Sequence, residues 1–102
     1  MQKGGLVYII CSPNRAVLYT GVTSDLQTRI WKHKTKFYEN SFTAKYNCVV
    51  LVWYKYFHFI EEAIAEEKRI KAGNRLKKEK LINEFNNDWK DLWDDIKDLR
   101  LY

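Results

Sequence analysis

The chain has 102 residues, 46% hydrophobic and 16% aromatic, enough for one small core and too few for two. No apolar run approaches the roughly 18 residues of a membrane span, and the first residues lack the shape of a signal peptide. The net charge of +5 is unevenly spread: residues 1–60 carry eight Lys or Arg against two Asp or Glu, residues 61–80 seven against five, and residues 81–102 three against six. A basic first half of this kind suits a polyanionic partner, most simply nucleic acid. Cys11 and Cys48, with no export signal, are expected to be reduced thiols in a cytoplasmic protein.

Residues 5–33 read as a strand, a tight turn, a second strand and the start of a helix. Val7, Ile9 and Ile10, then Val17, Thr20, Val22 and Thr23, are β-branched, as strands prefer, and Ser12-Pro13-Asn14-Arg15 between them is turn chemistry. A turn centred between Pro13 and Asn14 puts Tyr8 directly across from Tyr19, on one face of the sheet. Ser24 then starts a helix, with Gln27 three residues on as in a capping box. That helix is expected to run to Lys36, with Leu26 and Ile30 facing the core. Arg29 and His33, four apart, share a face, and Lys32, Lys34 and Lys36 lie towards its C-terminal end.

Residues 37–47 read as a polar and aromatic loop, in which Thr43, Lys45 and Tyr46 are candidate phosphate contacts or ordinary loop residues. Residues 48–57, CVVLVWYKYF, are nearly all apolar and read as the central strand, covered on both faces. A second helix is expected over Ile60–Ala72, ended at Gly73, and a third from near Asn74, carrying Arg75, Lys77, Lys78 and Lys80 against Leu76, Leu81, Ile82 and Phe85. Asp88 is placed to cap a last helix with Trp89, Leu92, Trp93, Ile96 and Leu99 on one face. No repeat, low-complexity tract or linker divides the chain, so residues 1–102 read as a single domain.

Glu67 is out of pattern. The apolar stripe of the second helix runs through Ile60, Ala63, Ile64 and Ile70, and the position that continues it holds a carboxylate. A carboxylate facing inwards needs a positive partner, because burying it alone costs several kcal/mol, roughly. That partner is Arg29, a nearby lysine or a metal ion. Glycine-rich phosphate loops, paired-cysteine zinc motifs and HExxH are absent.

Val7-Tyr8-Ile9 followed by Tyr19-Thr20-Gly21 resembles the two signature motifs of the GIY-YIG endonuclease superfamily. TGVTSDLQTRIWKHK is similar to the family's helix, with Arg29 and His33 at matching positions. EEAIAEEKRIKAGNRLKKEKLI resembles the downstream segment of its small bacterial members, with Glu67 on the metal-binding glutamate, and NDWKDLWDDI is similar to their tail. Leu6 stands where the first motif has Gly, and Thr20 where the second has Ile; neither changes a reacting side chain.

The resemblance implies an α/β fold, a small three-stranded, mainly antiparallel sheet flanked by helices. It also implies divalent-metal-dependent hydrolysis of DNA phosphodiester bonds, with DNA repair or recombination as the setting. The catalytic residues would be Tyr8, Tyr19, Arg29, His33 and Glu67, with Glu67 holding Mg²⁺ or Mn²⁺ and either tyrosine as the base. A late site asparagine, Asn83 or Asn86, also belongs to that pattern. Lys32, Lys34, Lys36, Thr43, Lys45, Lys71 and Arg75 are the expected DNA contacts. No membrane is involved, and a monomer or weak dimer is expected. The alternatives are a nucleic-acid-binding module of the same fold without turnover, and an interaction domain docking through the Trp89–Trp93 face.

Overall fold

A computed structural model describes residues 4–99. Its elements are strand β1 (Gly5–Cys11), strand β2 (Leu18–Thr23), helix α1 (Leu26–Lys34), the short helix α2 (Phe42–Lys45), strand β3 (Val50–Phe57), helix α3 (Ile60–Ala72), helix α4 (Arg75–Phe85) and the short helix α5 (Trp93–Ile96). The three strands form one antiparallel sheet in the order β2-β1-β3. The expected α/β architecture is therefore present. Among the described residues no helix is long and apolar enough to cross a membrane.

The centre of the sheet is β1, not the later strand that reads as central. All seven β1 residues are buried, while β3 pairs with β1 alone and becomes exposed at Lys55 and Tyr56. β1 separates two cores because its side chains alternate between faces. Leu6, Tyr8 and Ile10 pack with Leu26 and Ile30 of α1 and with Leu51, Leu92 and Ile96. Val7, Ile9 and Cys11 pack on the other face with Ala63 and Ile70 of α3 and Ile82 of α4. A bulge sets Ile9 opposite Trp53 and Ile10 opposite Leu51, so Val52 is the extra residue and shares a face with Trp53. Cys11 and Cys48 are free and buried.

The hairpin register differs from expectation by two residues. Tyr8 pairs with Gly21 and Tyr19 with Ile10. The connection is longer than a two-residue turn: Ser12 N–H donates to the Val17 carbonyl (3.0 Å), and Arg15 takes a left-handed φ of 64°. A slip of two keeps every side chain on its face, whereas a slip of one reverses them all. Tyr8 and Tyr19 thus still share a face, as diagonal neighbours.

Helix boundaries follow local capping. Asp25, rather than Ser24, is the N-cap of α1, accepting from Thr28 N–H at 3.2 Å. The helix stops at Lys34, and Lys36 turns to a φ of 54°. Inside the expected 37–47 loop, Ser41 caps α2 by accepting from Ala44 N–H. α3 spans the expected residues, and Asn74 caps α4 by accepting from Lys77 N–H at 2.9 Å. Leu76 and Phe85 are exposed, so the inner side of α4 rests on Leu81 and Ile82.

The tail is not one long helix capped by Asp88. Trp89 has a φ of 53°, and only Trp93–Ile96 is helical. Trp89 packs with the α3–α4 core and Trp93 with the α1 core. The segment between them wraps the open edge of β3. Leu92 N–H donates to the Leu51 carbonyl (2.8 Å), Leu51 N–H to Asp91 Oδ1 (3.2 Å), and buried Asn86 Nδ2 to the Val52 carbonyl (3.1 Å). These bonds use polar groups that an unprotected edge strand would offer to another chain.

Candidate active site

Tyr8 lies within the core, only 1% exposed. Its ring stacks over the backbone of its partner in β2, where Gly21 leaves the space. A Cβ at position 21 would overlap the Tyr8 hydroxyl and come within 2.8 Å of Cε1. Glycine is required here by close approach, not by an unusual φ. Gly21→Ala is expected to push the ring out of place, costing about 1–3 kcal/mol by overpacking. Denaturant unfolding measures that loss; an unchanged midpoint would show that Tyr8 has another resting place.

The Tyr8 hydroxyl is 2.8 Å from His33 Nε2, and His33 Nδ1 is 3.0 Å from the Thr43 hydroxyl. Thr43 is buried in α2, and its hydroxyl is 3.3 Å from that of Ser41. The Tyr19 ring lies 6.5 Å from Tyr8 and 5.9 Å from His33. Arg29, one turn before His33 on α1, lines the same cleft as His33, and its charge acts on the Tyr8 hydroxyl. Burial pushes that hydroxyl well above the ordinary tyrosine range, and Tyr19 and Glu67 push the same way, while the charge and N–H groups of Arg29 oppose them. Burial, then the Arg29 charge, push the His33 imidazole down to about 4. At neutral pH the cluster therefore holds a neutral phenol against a neutral imidazole.

α3 belongs to the other layer, yet it reaches this cluster past the edge strand β2. Lys71 Nζ stands 5.6 Å above the Tyr19 ring and 2.9 Å from Glu67 Oε2. The Glu67 side chain is 14% exposed, at the border of the core rather than within it, and its ion-pair partner is Lys71. Among the described residues no three His, Cys, Asp or Glu side chains come together. Glu67 alone would supply the protein ligand for a divalent ion. Mg²⁺ accepts such a site, since it commonly keeps several waters and binds through one or two carboxylates and a substrate phosphate. Lys71 pairs with Oε2 of that carboxylate, so an ion would bind at Oε1 or displace the lysine.

Around the mouth lie exposed aromatic rings. Phe37 and Tyr38 are 5.0 Å apart and Phe42 and Tyr46 4.7 Å apart, and Trp31 joins the first pair. Lys32 Nζ sits over Phe37 and Tyr38, and Lys45 Nζ over Tyr46. A cleft of about 170 Å³ between these rings is lined by Tyr19, Arg29, Lys32, His33 and Lys36 among others.

Not every expected contact residue reaches this cleft. Lys34 is paired with Asp91 and donates to the Val49 carbonyl (2.7 Å), which ties α1 to β3 and the tail. Arg75 bonds Glu79 and the Ala16 and Arg15 carbonyls, anchoring α4 to the hairpin loop. Asn83 accepts from Trp89 Nε1 at 2.6 Å, and Asn86 is bonded to Val52 and Lys90, so both asparagines hold the tail. Thr43 lines the cleft with its hydroxyl against His33 Nδ1. Ser41 and Phe42, which no sequence signal singled out, also line the cleft; the serine before FTAK, as a helix cap, was the available clue.

A small antiparallel sheet carrying two tyrosines, with Arg and His from one helix and a carboxylate from another, defines a nuclease-type domain. The family model for the GIY-YIG catalytic domain matches residues 4–87, and the chain belongs to that family of nucleases. A UPF0213 protein of Staphylococcus saprophyticus is 41% identical over 88 residues, covering 82% of this chain and 99% of that one. The solution NMR structure of a UPF0213 protein from Bacillus halodurans is similar with a TM-score of 0.55 and 30% identity, covering 86% of this chain and 92% of that one.

Proposed function

We propose that the protein is a divalent-metal-dependent endonuclease acting on DNA, with Tyr8 as the residue that receives the proton of the attacking water. The observation that carries this reading is the buried Tyr8 hydroxyl 2.8 Å from His33 Nε2, under the charge of Arg29. Burial favours the neutral phenol, which suits Tyr8 to relaying a proton rather than standing as a phenolate. It works as a shuttle: as water attacks phosphorus, its proton passes to Tyr8 Oη and the Tyr8 proton passes to His33 Nε2. The P–O bond to the leaving oxygen breaks, and that oxygen takes a proton from solvent. Arg29 neutralises phosphate charge through its planar fork of donors. Tyr19, ring to ring with Tyr8 and His33, shapes the place of the water. Mg²⁺ or Mn²⁺, held by Glu67 and water, would supply phosphate neutralisation and leaving-group stabilisation when bound.

The aromatic rim points to the form of the DNA. Exposed rings interleaved with lysines favour bases that have left a duplex, because stacking on a ring contributes about 1–3 kcal/mol per base regardless of its identity. Repair and recombination expose such bases. Labelled single-stranded, duplex and flapped oligonucleotides, each with Mg²⁺, Mn²⁺ or chelator, test the proposal. Cutting should need the ion and favour unpaired strands. Affinity should fall about tenfold or more between 50 and 200 mM salt. Salt-sensitive binding with no cutting of any substrate would leave a binding module instead.

A further inference from the structure

We propose that Thr43 is a positioning residue: by accepting the Nδ1 proton of His33 it fixes the ring tautomer whose Nε2 receives the Tyr8 proton. The proposal rests on the shuttle described above, and every donor and acceptor in the cluster agrees with it. The Tyr8 side chain is buried, so its proton needs an acceptor within the protein. His33 Nε2, 2.8 Å away, is the acceptor the structure supplies. A neutral imidazole with an accepting Nε2 carries its proton on Nδ1. That proton points at the Thr43 hydroxyl, 3.0 Å away, which is then the acceptor. The Thr43 hydroxyl then keeps its own proton available for Ser41, 3.3 Å away, whose oxygen also accepts from Ala44 N–H as the cap of α2. In this tautomer the bonds can run from Tyr8 through His33 and Thr43 to Ser41.

The opposite tautomer fails this accounting. With a proton on Nε2, His33 would donate to the Tyr8 oxygen, and the buried Tyr8 proton would lose the acceptor 2.8 Å away. Thr43 is itself buried at 4% exposure, so water is a poor substitute for its hydroxyl at Nδ1. The short helix α2, unremarkable as loop sequence, thereby sets the protonation pattern of the site. A functional histidine oriented by a partner at its second nitrogen is a general device.

The test is ¹⁵N NMR of the imidazole rings, practical because His33 and His58 are the two histidines of the chain. Wild type should show His33 protonated on Nδ1, with Nε2 as a hydrogen-bonded acceptor. Thr43→Val, close in shape but without the hydroxyl, should move the proton to Nε2. Cleavage turnover should then fall about 10- to 100-fold, with little change in DNA affinity. Thr43→Ser should restore both tautomer and turnover. A wild-type ring protonated on Nε2 would overturn the proposal, and so would an unchanged tautomer in Thr43→Val. If the ring behaves as stated but wild type cuts no DNA, the nuclease reading fails while the role of Thr43 in setting the tautomer stands.

Discussion

Tyr8→Phe should reduce DNA cleavage by about 10²- to 10⁴-fold, the range over which a positioned proton-transfer group contributes. The ring volume is kept, so the packing against Gly21, Leu26 and Ile30 survives, and the fold should lose only about 1 kcal/mol for the missing hydrogen bond. The matched change Tyr19→Phe should cost less, because the described contacts of Tyr19 are made by its ring. The pH profile separates two ways of using Tyr8. If a free phenolate were the base, the rate would climb with pH towards the high value imposed by burial. In the shuttle, neutral His33 is the final acceptor, and its neutral fraction rises with pH through about 4. The rate should therefore rise with pH through that value and level off above it. Wild-type activity retained by Tyr8→Phe would sink the shuttle, and a rate still climbing above pH 8 would restore the phenolate.

What the sequence made legible was local. Helix α3 lies where its stripe and the Gly73–Asn74 stop place it. The common face of Tyr8 and Tyr19 survives a wrong register because the error was an even number of residues. What was hidden depended on partners distant in the chain. GLVYIIC and CVVLVWYKYF are both nearly continuous apolar runs, and composition does not say which has two neighbours. Moreover the edge of β3 is covered by Asp91, Leu92 and Asn86, so an edge strand can be as apolar as a central one. Trp89 and Trp93, four apart, suggest one helix face but sit in different cores, because the chain turns at Trp89. Lys34 and Lys36 are equivalent as charges; only the fold shows that Asp91 takes the first while the second lines the cleft. The bond between Thr43 and His33 was hidden because the two residues belong to different helices.

Glu67→Gln should abolish metal-dependent cleavage while leaving the fold nearly unchanged. Of the partners that an inward carboxylate allowed, the structure supplies a lysine and removes Arg29. Glu67 pairs with Lys71, four residues on along α3, and not with a buried Arg29, which is exposed on α1. With Lys71 half exposed and Glu67 at the border of the core, such a pair contributes at most about 1 kcal/mol, below the roughly 3 kcal/mol or more expected when a buried cation loses its counter-ion. The amide should therefore melt within about 1 kcal/mol of wild type in chelator. Added Mg²⁺ or Mn²⁺ should raise the wild-type melting temperature and leave the variant's unmoved, because ligands that bind only the folded state stabilise it by mass action. DNA affinity should be largely kept, since Arg29, Lys32 and Lys36 still line the cleft. Cleavage should drop by about 10²-fold or more, in line with the several kcal/mol that metal stabilisation of a phosphoryl transition state supplies. Melting curves with and without the ion, run beside a cleavage assay, separate the cases. A variant that still cuts at the wild-type rate would remove Glu67 from the metal site, and a variant that unfolds would return it to a structural role.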